Sequence, residues 1–151
     1  MKYALDTNIF VDSLRHDEAE AQLLAFLERA LPSTFMSAVV MQELAAGART
    51  PKAARELRRL VFGPFERRGR VFAPSAAAFV ESGRILAAVA AQEGWQLVDE
   101  NPSLLNDALI AASCRERGIA LVARDGDFKR LAPFVKGWRH LTPWPEMTSY
   151  T

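Results

Sequence analysis

The chain has 151 residues, half of them hydrophobic and a quarter charged, and its formal net charge is +1. This composition predicts one globular domain and excludes the disordered, fibrous and membrane-spanning classes, because the longest apolar runs are far shorter than the roughly 20 residues that cross a bilayer. The single cysteine, Cys114, excludes a disulfide framework and suits a reducing compartment, so we expect a cytoplasmic protein.

Strands and helices alternate in the first half of the chain. The predicted strands cover residues 3–5, 34–36 and 70–72, and the predicted helices cover residues 9–14, 19–30, 38–46 and 51–62. Ser37 is a typical N-cap for the third helix, and Thr50 with Pro51 is a typical start for the fourth. Gly63 and Pro64 are predicted to end that fourth helix.

The second half continues the same alternation. Residues 95–103 are predicted to form a loop. Predicted helices cover residues 76–93 and 104–117, with a turn and short helix over 125–131, and predicted strands cover residues 119–123 and 138–141. This order is typical of an α/β domain, so we expect a single domain with a parallel sheet of about five strands and helices on both faces. Its core would span residues 1–141, followed by a tail over 142–151.

Two aspartates follow predicted strands. Asp6 comes directly after the first strand, and Asp125 comes shortly after the strand over 119–123. The carboxyl ends of parallel strands meet at one edge of a sheet, so we expect both carboxylates at that edge. Each has a purely structural alternative, because Asp6 could cap the helix that follows and Asp125 could be a turn residue.

Two further acids lie in predicted helices, on faces that should be buried. The residues at helical spacing around Glu43 are all apolar or glycine, and those around Asp107 include Ile110, Ala111 and Cys114. A carboxylate on an apolar face is costly unless it is paired or bound to a metal. The alternative for Asp107 is that of a first-turn acid favoured by the helix dipole.

Four carboxylates gathered at one place would repel one another and need a cation. All-oxygen ligands favour a hard divalent ion, Mg²⁺ or Mn²⁺. Such an ion polarises phosphate esters and activates water, so the acids predict phosphoryl hydrolysis. The candidate metal ligands and catalytic residues are Asp6, Glu43, Asp107 and Asp125.

The segment from Arg49 to Arg70 is strongly basic. It holds eight basic and two acidic residues, which gives it a charge of +6 and leaves −5 for the rest of the chain. A basic segment on a nearly neutral protein indicates a polyanionic partner. The alternative is an ordinary solvated helix face.

Four short motifs resemble, in this order, those of the PIN-domain ribonucleases. They are Leu5-Asp6-Thr7-Asn8, then Ser37 with Glu43-Leu44 and Gly47, then Asp107-Ala108-Leu109-Ile110-Ala111-Ala112, and then Leu121-Val122-Ala123-Arg124-Asp125 with Asp127-Phe128. The resemblance covers residues 1–141 and is nearest to the VapC-like toxins of toxin–antitoxin pairs. The chain departs from that pattern at Ala123, where the family often has Thr or Ser, and in its long basic middle segment.

The resemblance implies Mg²⁺- or Mn²⁺-dependent endonucleolytic cleavage of RNA, with the four carboxylates as metal ligands. Asp127 would be an auxiliary acid, and Asn8 would hold the first loop through hydrogen bonds. A homodimer and a small inhibitory antitoxin, whose tail blocks the active-site groove, are also implied. Substrate contacts in the basic segment do not follow from the resemblance. The charge pattern itself leads us to expect RNA along that segment, with Arg49, Lys52, Arg55, Arg58, Arg59 and Arg124 as the candidate phosphate contacts.

Three alternatives remain open at this point. The chain could be a PIN-type nuclease that processes RNA without an antitoxin, or a non-catalytic binding module for RNA or protein on the same scaffold. It could also be a phosphatase with Asp6 as nucleophile. That chemistry needs a second aspartate two residues later, and Asn8 stands there instead.

Overall fold

The structure is a computed structural model that describes residues 1–124, 126–144 and 147, without the side chain of Asp127. The chain forms two compact units, residues 1–73 and 74–151. Its five strands follow the order β3-β2-β1-β4-β5, and they are β1 (Lys2–Leu5), β2 (Thr34–Ser37), β3 (Val71–Phe72), β4 (Ile119–Val122) and β5 (His140–Leu141). The predicted α/β class with a five-stranded parallel sheet is confirmed.

The first unit contains three parallel strands and five helices. Tyr3 lies opposite Thr34 in the pairing of β1 with β2, and Met36 lies opposite Val71 in the pairing of β2 with β3. The helices are α1 (Thr7–Arg15), α2 (Asp17–Ala30), α3 (Ala38–Gly47), α4 (Pro51–Leu57) and α5 (Gly63–Glu66). The core of the unit includes the edge-to-face pair of Phe10 and Phe65, both of them buried.

Two helix starts of the first unit are those that the sequence predicts. The hydroxyl of Ser37 accepts a hydrogen bond from the N–H of Val39, and the hydroxyl of Thr50 accepts one from the N–H of Ala53. Each hydroxyl thereby satisfies one of the amide groups that have no partner in the first helical turn.

The predicted helix end at Gly63 and Pro64 is wrong, because the chain stays helical through Glu66. Residues Arg58–Phe62 form a π turn, in which the N–H of Gly63 bonds to the carbonyl of Arg58, five residues back. The helix re-forms after this wider turn, so that Pro64 lies in the first turn of α5. A proline is tolerated there because the missing N–H would have no helical partner.

The second unit contains the parallel pair of β4 and β5, in which Leu121 lies opposite His140. Its helices are α6 (Ala76–Glu93), α7 (Trp95–Glu100), α8 (Ser103–Arg117) and α9 (Gly126–Leu131). The hydroxyl of Ser75 caps α6, as predicted. Helix α6 packs against α8, and Gly118 ends α8 with a φ of 65°, a conformation that favours glycine.

The prediction of a loop over residues 95–103 is wrong, because six of these residues form α7. Side chains support this short helix locally. The amide of Gln96 donates to the carboxylate of Glu100 at 2.9 Å, and the amide of Asn101 donates to the carbonyl of Leu97 at 2.7 Å. The bond from Asn101 satisfies a carbonyl group near the end of the helix. The pattern of apolar residues in the sequence gives no sign of such a bond, so it does not predict this helix.

Some predictions are not tested by these elements. The single domain with its core over 1–141 stays a prediction, and most of the tail (residues 145, 146 and 148–151) lies outside the described residues. Within the part of the chain that is described, no helix is long and apolar enough to cross a membrane.

Candidate active site

Asp6 occupies the N-cap position of α1, at the carboxyl end of β1, and is only 4% exposed. Its side chain makes no capping hydrogen bond to the helix. Simple capping therefore does not account for this carboxylate. Burial of a charged group is costly, and metal binding is one of the ways in which proteins offset that cost.

Glu43 is half-buried in α3 and is held by a side chain that the sequence reasoning missed. The hydroxyl of Thr7 donates to Oε1 of Glu43 at 2.7 Å, which connects the first residue of α1 to α3. A carboxylate can accept about four hydrogen bonds, so this single bond orients the group without using up its capacity to bind a metal. The position of Thr7 beside Asp6 is a weak signal in the sequence, because its partner lies 36 residues away.

Replacing Thr7 with valine tests this orienting contact, because the side chain keeps its shape and loses its donor. We expect Thr7→Val to lower the free energy of unfolding by about 1 kcal/mol and to weaken Mn²⁺ binding by about 10-fold, as is usual for groups that orient metal ligands. Urea unfolding and titration calorimetry measure the two effects. Thr7→Ser, which keeps the hydroxyl, should restore both values, and wild-type Mn²⁺ affinity in the valine variant would contradict the assignment.

Asp107 lies in α8 of the second unit and is 8% exposed. Its helical neighbours Ile110, Ala111 and Cys114 are all buried, so the prediction that Asp107 points from the buried face is confirmed. The first turn of α8 contains no acidic residue, which removes the helix-dipole alternative for Asp107. The fold therefore buries this carboxylate as well, and burial of a charged group is costly.

The remaining predicted site residues have different outcomes. Asp125 lies outside the described residues, and Asp127 belongs to α9 without a described side chain. Asn8 is exposed in the first turn of α1, and Arg124 is exposed two residues after β4. The supporting role of Asn8 stays a prediction.

The described residues contain no group of three or more acidic, histidine or cysteine side chains arranged around a metal position, and Asp125 and the side chain of Asp127 are outside that set. The chemistry of the donors nevertheless fits a hard divalent ion, because Asp6 and Asp107 are buried carboxylates and Glu43 is half-buried. The metal site formed by four acids stays a prediction.

Seven of the eight basic residues of the basic segment are exposed, and Arg70 is half-buried. The five candidate RNA contacts of this segment are exposed, and they are Arg49, Lys52, Arg55, Arg58 and Arg59. Arg58 also makes a 3.7 Å ion pair with Glu66, although both side chains remain well exposed. Exposed ion pairs of this kind contribute little to stability, so Arg58 can leave Glu66 and bind a polyanion instead.

A groove of about 370 Å³ lies between the helices of the first unit. Its apolar wall includes Leu14 and Leu60, which are 61% and 56% exposed. Glu43, one of the candidate metal ligands, also lines the groove. The complete lining consists of Val11, Leu14, Arg15, Glu43, Leu44, Gly47, Ala48, Ala53, Glu56, Leu57 and Leu60. An occupant of this groove would therefore contact the candidate ligand Glu43.

The sequence matches the family model of the PIN domain over residues 3–133, a match that runs through both units. A comparison with curated protein sequences found no match to this chain.

Solved structures of similar fold include complexes from three bacteria. DNA-bound VapBC from Salmonella typhimurium shares 22% identity with a TM-score of 0.70, over 94% of this chain and 98% of that one. VapBC2 from Rickettsia felis, bound to a promoter DNA fragment, shares 20% identity with a TM-score of 0.59, over 95% and 99%. A toxin–antitoxin complex from Klebsiella pneumoniae shares 22% identity with a TM-score of 0.54, over 84% and 90%. At these identities the likeness shows the fold.

Proposed function

Because the chain belongs to the PIN domain family, we propose that it is a metal-dependent endoribonuclease and the toxin of a toxin–antitoxin pair. PIN domains are nucleases, which supports the phosphodiester hydrolase class. The observation that carries the proposal is the burial of two carboxylates, since Asp6 is 4% exposed and Asp107 is 8% exposed. Groups of this kind cluster at functional sites, since folding alone gains little from them.

In the proposed site, Asp6, Glu43, Asp107 and Asp125 hold Mg²⁺ or Mn²⁺, with Asp127 as an auxiliary acid. The ion, when bound, supplies a Lewis acid for the phosphate and lowers the pKa of water. The residues of the chain supply charge and position. Thr7 fixes one oxygen of Glu43, and the buried position of Asp6 keeps its carboxylate in a medium of low dielectric, where attraction to a cation is stronger.

The proposed substrate is RNA with accessible single-stranded segments, held along the basic segment by phosphate contacts. Support comes from the exposure of its five candidate basic side chains and from the charge of +6 over residues 49–70. Phosphate contacts of this kind carry no sequence information, and they make the affinity depend on salt. Single-stranded RNA is preferred because its bases are accessible to a protein surface. Arg124, exposed near the candidate ligand Asp125, is proposed as a further contact.

The proposed inhibitor is a small antitoxin, one segment of which occupies the groove of the first unit. Two observations support this partner. The similar structures include VapBC and toxin–antitoxin complexes, and the groove exposes Leu14 and Leu60 to solvent. A peptide seated there would cover apolar side chains and also reach Glu43, which explains how binding could block the site. A homodimer is proposed on the family resemblance alone.

Metal-dependent cleavage of RNA tests the proposed function directly. We expect the purified chain to cut single-stranded RNA with Mg²⁺ or Mn²⁺, to be inactive in excess EDTA, and to recover when Mn²⁺ is restored, because the proposed nucleophile is water activated by the ion. Product ends resolved on a sequencing gel measure the reaction. Cleavage that persists in EDTA would contradict the metal mechanism. Binding of RNA with no cleavage in any divalent ion would instead favour a non-catalytic module.

A further inference from the structure

A second pocket, of about 310 Å³, lies within the second unit. Its lining comes from α6, from α8 and from the residues that follow α9. The lining residues are Glu81, Arg84, Arg115, Pro133, Phe134 and Lys136. Three of these six side chains are cationic, and none of them belongs to the predicted site or to the basic segment.

Two arginines in this pocket are fixed by hydrogen bonds to the same stretch of backbone. Arg84 donates from Nη2 to the carbonyl of Phe134 at 2.9 Å, and Arg115 donates from Nε to the carbonyl of Lys136 at 2.5 Å. Both guanidinium groups are therefore held in position before any ligand arrives. Such preorganisation reduces the conformational entropy that a ligand would otherwise have to offset.

Glu81 offsets one of the three positive charges of the pocket, since it is hydrogen-bonded to Arg84 and is also attracted to Arg115. Its two carboxylate oxygens accept hydrogen bonds from Nε and Nη2 of Arg84 at 2.9 and 2.6 Å. The hydrogen bond from Arg84 lowers the pKa of Glu81, which therefore stays ionised at neutral pH. With this pair offset, Arg115 and Lys136 give the pocket a residual charge of +2.

Structural roles do not use up these two remaining cations. The contact of Arg115 with the backbone employs Nε, one of the nitrogens of a guanidinium group that carries five N–H donors, so the terminal amino groups can bind a second partner. Lys136 accepts that bond through its backbone carbonyl, so the contact does not depend on its ammonium group. Both residues are exposed, and a ligand can reach them from solvent.

We propose that this pocket binds a phosphodiester group of single-stranded RNA, with Arg115 and Lys136 holding the phosphate. The planar guanidinium fork matches phosphate geometry, and a lysine ammonium adds a point charge. Pro133 and Phe134 provide an apolar wall against which the adjoining sugar or base can pack. Four residues of the pocket are exposed, namely Arg84, Arg115, Pro133 and Lys136. Sites for small ligands usually enclose most of the ligand, so a pocket this open is better suited to a polymer that passes through it.

The inference rests on the proposed RNA substrate, and a charge reversal at Lys136 tests it. The probe is a fluorescein-labelled single-stranded RNA of mixed sequence, titrated with the full chain in EDTA so that binding is measured without cleavage. We expect Lys136→Glu to weaken binding by about 10-fold. Affinity should also fall less steeply with salt, because the slope of log affinity against log salt should be smaller in magnitude by about 0.7, the value for one phosphate contact on a single strand. Arg139→Glu, an exposed position three residues later with the same change in charge, is the matched control and should bind within about twofold of wild type.

Lys136→Gln removes the charge without introducing an acid, and we expect it to weaken binding by about threefold. This milder variant keeps the test decisive if glutamate disturbs the loop, which a thermal melt would detect. Equal RNA affinities of Lys136→Glu and Arg139→Glu would overturn the proposal that this pocket binds RNA, whether both affinities match that of the wild type or both are lower. Cleavage of the same RNA by the wild-type chain with Mn²⁺ is scored separately. If the wild-type chain binds RNA through Lys136 but does not cleave it, the proposed nuclease activity is refuted, while the proposal that the pocket binds RNA is supported.

Discussion

Asp6→Asn is expected to lower metal-dependent RNA cleavage by more than about 100-fold while the protein keeps its fold. Even residues that only orient metal ligands cost 10- to 100-fold when they are replaced, and Asp6 is proposed as a ligand itself. Asparagine has nearly the same shape as aspartate, so the packing around this buried position should persist. Initial rates of cleavage of a labelled RNA measure the loss, and circular dichroism checks the fold.

A second readout for Asp6→Asn separates a lost metal ligand from other causes of inactivity. Mn²⁺ at about 100 times its dissociation constant should stabilise the wild-type chain by about 2.7 kcal/mol, and this stabilisation should be largely absent in the variant. Asp17→Asn, at an exposed position at the start of α2, is the control and should retain both cleavage and stabilisation. Stabilisation of Asp6→Asn by Mn²⁺ as strong as that of the wild type would refute its role as a ligand.

Leu60→Glu is expected to weaken the proposed antitoxin complex by at least about 30-fold. Leu60 lines the groove, and an apolar anchor at the centre of an interface commonly contributes about 2 kcal/mol or more to binding. The side chain is already 56% exposed, so its replacement should change the stability of the free chain by less than about 0.5 kcal/mol. Calorimetric titration with the antitoxin obtained by coexpression measures the affinity.

Leu24→Glu provides the matched control for the groove. Leu24 is 53% exposed on α2 of the same unit and does not line the groove, so the substitution adds the same charge to a similar degree of exposure. We expect its antitoxin affinity and inhibition to equal those of the wild type. A complex that tolerates Leu60→Glu as well as Leu24→Glu would show that the antitoxin binds elsewhere.

Local chemistry in the sequence predicted many of the boundaries correctly. Ser37, Thr50 and Ser75 cap the helices that they precede, because the capping hydroxyl acts within three residues of its own position. Gly118 ends α8 because it adopts a positive φ at little steric cost. The alternation of short apolar strands with helices gave the α/β class for a similar reason, since each element buries the side chains that its own period places on one face.

The sequence predictions failed at two places where the local residues are compatible with more than one backbone conformation. Gly63 and Pro64 were expected to end a helix, yet the π turn before them places Pro64 in the first turn of the next helix. Residues 95–103 were expected to be a loop, yet side-chain bonds to nearby groups, such as that of Asn101 to Leu97, support α7. In both places the chain had more than one acceptable backbone, and the pattern of apolar residues alone does not choose between them.

For the candidate site, the sequence by itself determined which helical acids stand on apolar faces, because the helical period assigned Glu43 and Asp107 to such faces without knowledge of any partner. The structure buries Asp107 and leaves Glu43 half-buried. Only the tertiary structure decided which groups meet across the chain. The hydroxyl of Thr7 reaches Glu43, and Arg115 reaches the backbone at Lys136, over 36 and 21 residues of sequence. These contacts depend on how separate segments of the chain pack together, and no local periodicity encodes the direction in which a packed side chain finds its partner.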